Sequence, residues 1–182
     1  MYNKTVTDYG LRILTSHMPH TQSVSIVLYV GTGSRYETPE EAGISHFVEH
    51  MCFKGTPRRP TSQEISETIE GLGGVLNAAT DRELTSYWCK VPSNHFKLAL
   101  DVLADIIHEP LFDLAEVEKE RRVILEELSM TYDVPSYRAD LLIDEVMWPN
   151  QPLGRDVGGT RESVTNITKD MLMQYMQRQY TI

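Results

Sequence analysis

Apolar and polar positions alternate at Val24, Ile26 and Leu28 within the β-branched run from Gln22 to Val30, which predicts a half-buried strand. Leu11 to Ser16 reads as a second strand, expected to pair with the first. Gly31-Thr32-Gly33-Ser34 breaks this pattern, and a helix follows from about Gly43. A second helix begins near Thr61, where Thr61 and Glu64 match a capping box, and ends at Gly71-Leu72-Gly73-Gly74. Strands at Val75 to Ala79 and Glu83 to Val91 flank a short turn at Asp81-Arg82. Helices are expected near Ser93 to His108, Asp113 to Asp133, Pro135 to Met147 and Thr168 to Gln179. Asp113 with Glu116 makes an N-cap with an acidic third position, and Pro135 marks the exit. Without linkers or low-complexity segments, residues 1–182 read as one α+β unit: a mostly antiparallel sheet with helices packed on one face.

Composition narrows the class. A chain of 182 residues, 41% hydrophobic, can bury a substantial core, and it holds no apolar run long enough to span a bilayer, so membrane insertion is not expected. The first ten residues lack an apolar signal core and are not an Arg-rich transit peptide, which points to a cytoplasmic, bacterial origin or to a mature organellar protein. Two cysteines, Cys52 and Cys89, do not make a disulfide framework, and Cys52 reads as a buried thiol. Seventeen basic against 26 acidic residues give a net charge of −9. With only the isolated pairs Arg58-Arg59 and Arg121-Arg122, there is no basic stripe to neutralise phosphates, so nucleic acid is not an expected partner. The acidic surface serves solubility, or steers basic and amphipathic peptides toward a cleft.

The helix near Gly43 carries His46-Phe47-Val48-Glu49-His50. At about 100° per residue, His46 and His50 sit roughly 40° apart, one turn apart along the axis, with Glu49 beside them. Two ring nitrogens can then share one ion, and a carboxylate next to a zinc-activated water has the chemistry of a general base. An amphipathic helix with polar-face histidines would show the same five residues, so a third ligand is needed. Catalytic zinc takes three protein ligands and leaves the fourth position to water. In the acidic helix from Asp113 to Asp133, Glu120 and Glu127 are seven residues apart and lie within about 20° of one another, whereas Glu126 points about 100° away from Glu127. Such a stacked pair can supply one ligand and one supporting carboxylate, or both can be solvated acids on a charged helix.

Four ordered motifs resemble the zinc peptidases of the insulinase, pitrilysin and mitochondrial-processing-peptidase superfamily. They are Gly43 to Thr56 around the inverted His-x-x-Glu-His motif, Gly73 to Thr80 with Glu83 to Tyr87, Glu120 to Glu127, and Pro152-Leu153-Gly154. The resemblance implies His46, His50 and Glu127 as Zn2+ ligands, Glu49 as catalytic base, and Glu120 as a carboxylate supporting the metal site. It also implies that the strand at Val75 to Ala79 is an exposed edge on which Asn77 and Ala78 hold an extended peptide substrate as an added strand. Thr85 and Tyr87 are expected to support the neighbouring strand. In the family two homologous halves close around the peptide, so this chain is expected to be a truncated N-terminal half that lacks its C-terminal partner half-domain. It should bind zinc with weak or no peptidase activity alone, and its open sheet edge would favour a homo-oligomer through strand pairing.

Three other classes compete. S-ribosylhomocysteine lyases resemble this fold and use the same His-x-x-Glu-His, but with a cysteine as third ligand, which would here be Cys89. Non-catalytic scaffold subunits of the same fold generally have degraded metal motifs, whereas His46, Glu49 and His50 are all present. A purely structural zinc needs four protein ligands, and no good fourth is visible. His17, His20, His95 and His108 have no motif context, Met171, Met173 and Met176 read as filling a helix interface, and the loop Gly154 to Gly159 reads as a connection.

Overall fold

The computed structural model describes residues 2–181, so Met1 and Ile182 lie outside the described residues. The strands are β1 (Asn3–Val6), β2 (Arg12–Thr15), β3 (Ser23–Val30), β4 (Val75–Thr80) and β5 (Thr85–Pro92). The α-helices are α1 (Ile44–Cys52), α2 (Ser62–Glu70), α3 (Phe96–His108), α4 (Leu114–Tyr132), α5 (Pro135–Met147), α6 (Arg161–Asn166) and α7 (Lys169–Gln179).

β3, β5 and β4 form an antiparallel sheet in that spatial order, which leaves β4 at an edge. The register places Leu28, Tyr87 and Ala78 in one cross-strand row and Val27, Trp88 and Asn77 in the next. Because successive side chains alternate between faces, these rows point opposite ways. Val24, Ile26 and Leu28 turn inward with Tyr87, Cys89 and Val91, which are buried against the helices. Helix α3 lies across β5 and β3, while α1 and α2 pack on β4. The opposite face leaves Val27, Tyr29 and Val75 exposed. Thr85 and Tyr87 are buried within the middle strand.

The expected pairing of the strand at Leu11 to Ser16 with the one at Gln22 to Val30 is not what the chain adopts. β2 pairs with β1, register Asn3 to Thr15, in a separate two-stranded sheet, and β3 pairs with β5. A turn at Thr7–Gly10, with Gly10 at φ +90° and Gly10 N–H donating to Thr7 O (2.9 Å), closes β1 onto β2 locally. β2 is exposed along its whole length, so it has no inward face to match that of β3. β5 supplies that face.

The helix starts follow their caps. Asp113 accepts from the Ala115 and Glu116 N–H groups at the start of α4, and Thr61 accepts from Glu64 N–H at α2. The Thr61 hydroxyl in turn donates to the Glu64 carboxylate (3.0 Å), so of the expected capping box only the half in which Thr61 accepts from Glu64 N–H is formed. On α7, Met171 and Met176 pack against the core as expected, but Met173 is exposed. No helix among the described residues is long and apolar enough to cross a membrane.

Candidate metal centre and cleft

Helix α1 is buried on almost every side. Of its nine residues only His46, Glu49 and His50 retain partial exposure, while Ile44, Phe47, Val48, Met51 and Cys52 are fully removed from solvent. Apolar packing therefore sets the rotation of the helix, and the stripe at i, i+3 and i+4 is what remains to face a cleft. Its N-terminus is anchored as well. The buried Glu37 carboxylate accepts from Gly43 N–H (2.9 Å), Ser45 N–H (2.9 Å) and the Ser45 hydroxyl (2.6 Å). Burial pushes the Glu37 carboxyl above its ordinary range despite these bonds. The Ser45 hydroxyl also meets Tyr175 OH of α7 (2.7 Å), which shares a hydrogen bond with Thr32 (2.9 Å). The loop Gly158-Gly159 presses against the same end: a Cβ on Gly159 would stand 2.3 Å from the Ala42 carbonyl oxygen, and Gly159 itself has φ +80°. Only glycine permits both.

Helix α4 crosses α1 with Val117, Ile124 and Leu128 buried, and it brings Glu120 and Glu127 to the histidine stripe. His46 Nε2 lies 3.2 Å from His50 Nε2. Glu127 Oε2 lies 3.9 Å from His46 Nε2 and 3.5 Å from His50 Nε2. Bonds of about 2.0–2.2 Å in a tetrahedron place ligand atoms roughly 3.3–3.5 Å from one another, so this donor set fits a zinc ion with little adjustment. Among the described residues these three are the group of His, Cys, Asp and Glu side chains close enough to hold one. Glu126 is exposed and outside that group. Burial, with His50 beside it, lowers the His46 pKa to about 4, so the ring is neutral near pH 7 and offers a lone pair.

Glu120 is almost fully buried, at 3% exposure. One oxygen faces His50 Nδ1 at 3.1 Å and the other takes an ion pair from Lys54 Nζ at 2.8 Å. Burial pushes its carboxyl up, but the hydrogen bonds from His50 and Lys54 outweigh that and hold it below the usual carboxylate range. With Nδ1–H given to Glu120, His50 turns Nε2 toward the other two donors.

Glu49 stands beside the imidazole pair, and Thr80 donates a 2.5 Å hydrogen bond to its Oε2. Burial raises its pKa above the ordinary carboxylate value, partly offset by the Thr80 bond. A carboxylate with raised proton affinity in a cleft is suited to general-base work. The cleft, about 460 Å³, has His46, Glu49 and Glu127 on its floor and Ala78 to Thr80 of the edge strand along one wall. Tyr137 and Asp156 also line it, the tyrosine hydroxyl donating to Asp156 Oδ1 at 3.1 Å.

The sequence-derived residues thus divide. His46, His50, Glu127, Glu49 and Glu120 converge, and Ala78 lines the cleft. Asn77 does not: its side chain lies on the opposite sheet face, where its Oδ1 accepts from Ala78 N–H (2.8 Å). Cys89 is buried under the sheet near Ala99 O, away from the imidazole pair, which removes the third ligand the lyase reading required. Cys52 is fully buried too, and burial drives its thiol pKa up to about 12. Lys54, Thr80, Tyr137 and Asp156 were not picked out by sequence reasoning. Lys54 and Thr80 lie inside motifs quoted for their neighbours, and spacing alone gives no sign of their partners.

The family model for insulinase (peptidase family M16) matches residues 12–161. An uncharacterized zinc protease of Bacillus subtilis (strain 168), YmxG, is 41% identical over 181 residues, covering 100% of this chain and 44% of that protein. A probable mitochondrial-processing peptidase subunit beta of Arabidopsis thaliana is 37% identical over 180 residues, covering 97% of this chain and 33% of that one. The chain therefore spans less than half the length of these relatives. A crystal structure of a protease from Helicobacter pylori superposes with a TM-score of 0.93 at 22% identity, covering 100% of this chain and 44% of that one, a likeness of fold.

Proposed function

Since the chain belongs to the insulinase family of peptidases, family M16, we propose that it is the zinc-binding N-terminal domain of a metalloendopeptidase acting on extended, unstructured peptides. The observation that supports this most directly is the convergence of His46, His50 and Glu127 within 4.8 Å, with Glu49 alongside in the same cleft. The two imidazoles and the Glu127 carboxylate would hold the ion. When bound, zinc supplies a Lewis acid that polarises a scissile carbonyl and acidifies water. Glu49 takes the water proton as the water oxygen attacks the carbonyl carbon, and gives that proton to the leaving amine as the C–N bond breaks. Thr80 occupies one Glu49 oxygen and leaves the other for this transfer.

The edge position of β4 supports peptide capture by strand addition, with main-chain pairing along Asn77 and Ala78. Main-chain pairing tolerates many side chains and rejects a folded substrate whose backbone is already paired. The Asn77 side chain, which accepts from Ala78 N–H, would release that N–H to an incoming peptide backbone. In this reading a C-terminal half-domain like that of the longer relatives would close the cleft.

The test is Glu49→Gln in a protein where this chain is continued by such a half. Zinc content should match wild type while cleavage of an unstructured peptide falls by about 10²- to 10⁴-fold, the scale of losing a general base. Normal cleavage by this variant would remove Glu49 from the role.

A further inference from the structure

Lys54 sits four positions beyond His50, just past the end of α1, where its N–H donates to Met51 O (3.1 Å) and carries the helical turn onward. That placement returns its side chain to the face occupied by His50. Nζ reaches Glu120 Oε1 at 2.8 Å, while Glu120 Oε2 faces His50 Nδ1 at 3.1 Å. Three side chains, one on α1, one just beyond it and one on α4, thus form a line from ammonium to carboxylate to imidazole, and its far end is the Nε2 that meets His46 and Glu127.

The Glu120 carboxylate is 3% exposed, and the Lys54 side chain 23%. A carboxylate removed from water and facing only one imidazole nitrogen has little to compensate its lost hydration. With the ammonium on its outer oxygen it has a counter-charge and one fixed rotamer. We infer that Lys54 is a positioning residue of the metal centre: by holding the outer oxygen of Glu120 it keeps the inner oxygen on His50 Nδ1, and so fixes the tautomer and ring orientation that present Nε2 to the ion. This rests on the zinc site proposed above. It adds a residue that touches neither ion nor peptide yet sets the affinity of the site. Carboxylate–histidine supports of this kind are worth about 10- to 100-fold in metal affinity.

Zinc affinity of the chain, measured by competition with a chromophoric chelator, tests it without recourse to catalysis. Lys54→Met should weaken zinc binding about 10- to 100-fold. Lys54→Arg, which keeps the charge and the reach, should stay within about threefold of wild type. In a Glu120→Gln background the same Lys54→Met change should cost less than about threefold, because Lys54 acts through Glu120. The cobalt-substituted Lys54→Met protein should show shifted visible absorption with the far-ultraviolet circular dichroism of wild type. Should Lys54→Met fail to fold, Lys54→Gln is read by the same criteria. Wild-type affinity in Lys54→Met, or an equal loss with and without Glu120, would overturn the inference. Failure of the wild-type chain to bind zinc at all would instead overturn the zinc site, and this inference with it.

Discussion

His46 and Glu49 are shifted in opposite directions by one cause. Burial disfavours charge, so the imidazole drops to about 4 and the carboxylate rises above its ordinary value. For the metal-free chain this fixes the sign of a pH effect. A His46 pKa of about 4 in the fold against the ordinary 6.5 means the neutral ring stabilises the fold fully above pH 6.5, and that contribution is lost as pH falls through 4. The loss is on the order of 3 kcal/mol. Urea denaturation of chelated protein should therefore show a steeper acid limb for wild type than for His46→Gln; equal slopes would contradict the shift. The same residues show what a sequence can disclose. His46, Glu49 and His50 are legible because three positions on one helix stripe need only the helical period to be placed together. Lys54 and Thr80 are not, because their partners Glu120 and Glu49 lie on other elements, and no local period reports which helix crosses which strand.

At the scale of elements, helix α1 is oriented by what packs on its back. Phe47 is fully buried, so Phe47→Ala should cost about 3–5 kcal/mol in chemical denaturation. The contact of the Gly158-Gly159 loop with the start of α1 gives a finer test. Gly159 and Gly73 both have positive φ, but a Cβ on Gly159 would strike the Ala42 carbonyl whereas one on Gly73 meets nothing within 4 Å. Gly73→Ala should cost about 1 kcal/mol of backbone strain, and Gly159→Ala more, with weakened zinc binding because α1 must shift. Similar stability for the two variants would show that the loop does not brace the helix. The long periodic helices and the β4–β5 hairpin were readable because their caps and turns are local. The pairing of β2 was not: strand partners are chosen by complementary buried faces, and the fully exposed β2 has none to offer β3. The six-residue α6, with Thr160 and Ser163 as its capping box, is too short to show a period.

For the whole molecule, the sheet keeps an edge strand beside the cleft and a face with Val27, Tyr29 and Val75 exposed. Free edges and apolar faces favour strand pairing and association, so sedimentation velocity should show self-association that grows with protein concentration, and a monomer at every concentration would argue against it. The chain spans 44% of its Bacillus relative. Under the proposed two-half architecture it should bind zinc but turn over an unstructured peptide weakly or not at all, and robust turnover by the 182-residue chain would contradict that.

In the proposed zinc site the Glu127 carboxylate completes the trio begun by His46 and His50. Isothermal titration of zinc into wild type, Glu126→Gln and Glu127→Gln compares two adjacent glutamates of one helix, of which only Glu127 lies with the imidazoles. One ion per chain is predicted for wild type and Glu126→Gln with similar affinity, against binding weaker by at least about 100-fold in Glu127→Gln. Wild-type affinity in Glu127→Gln would contradict it.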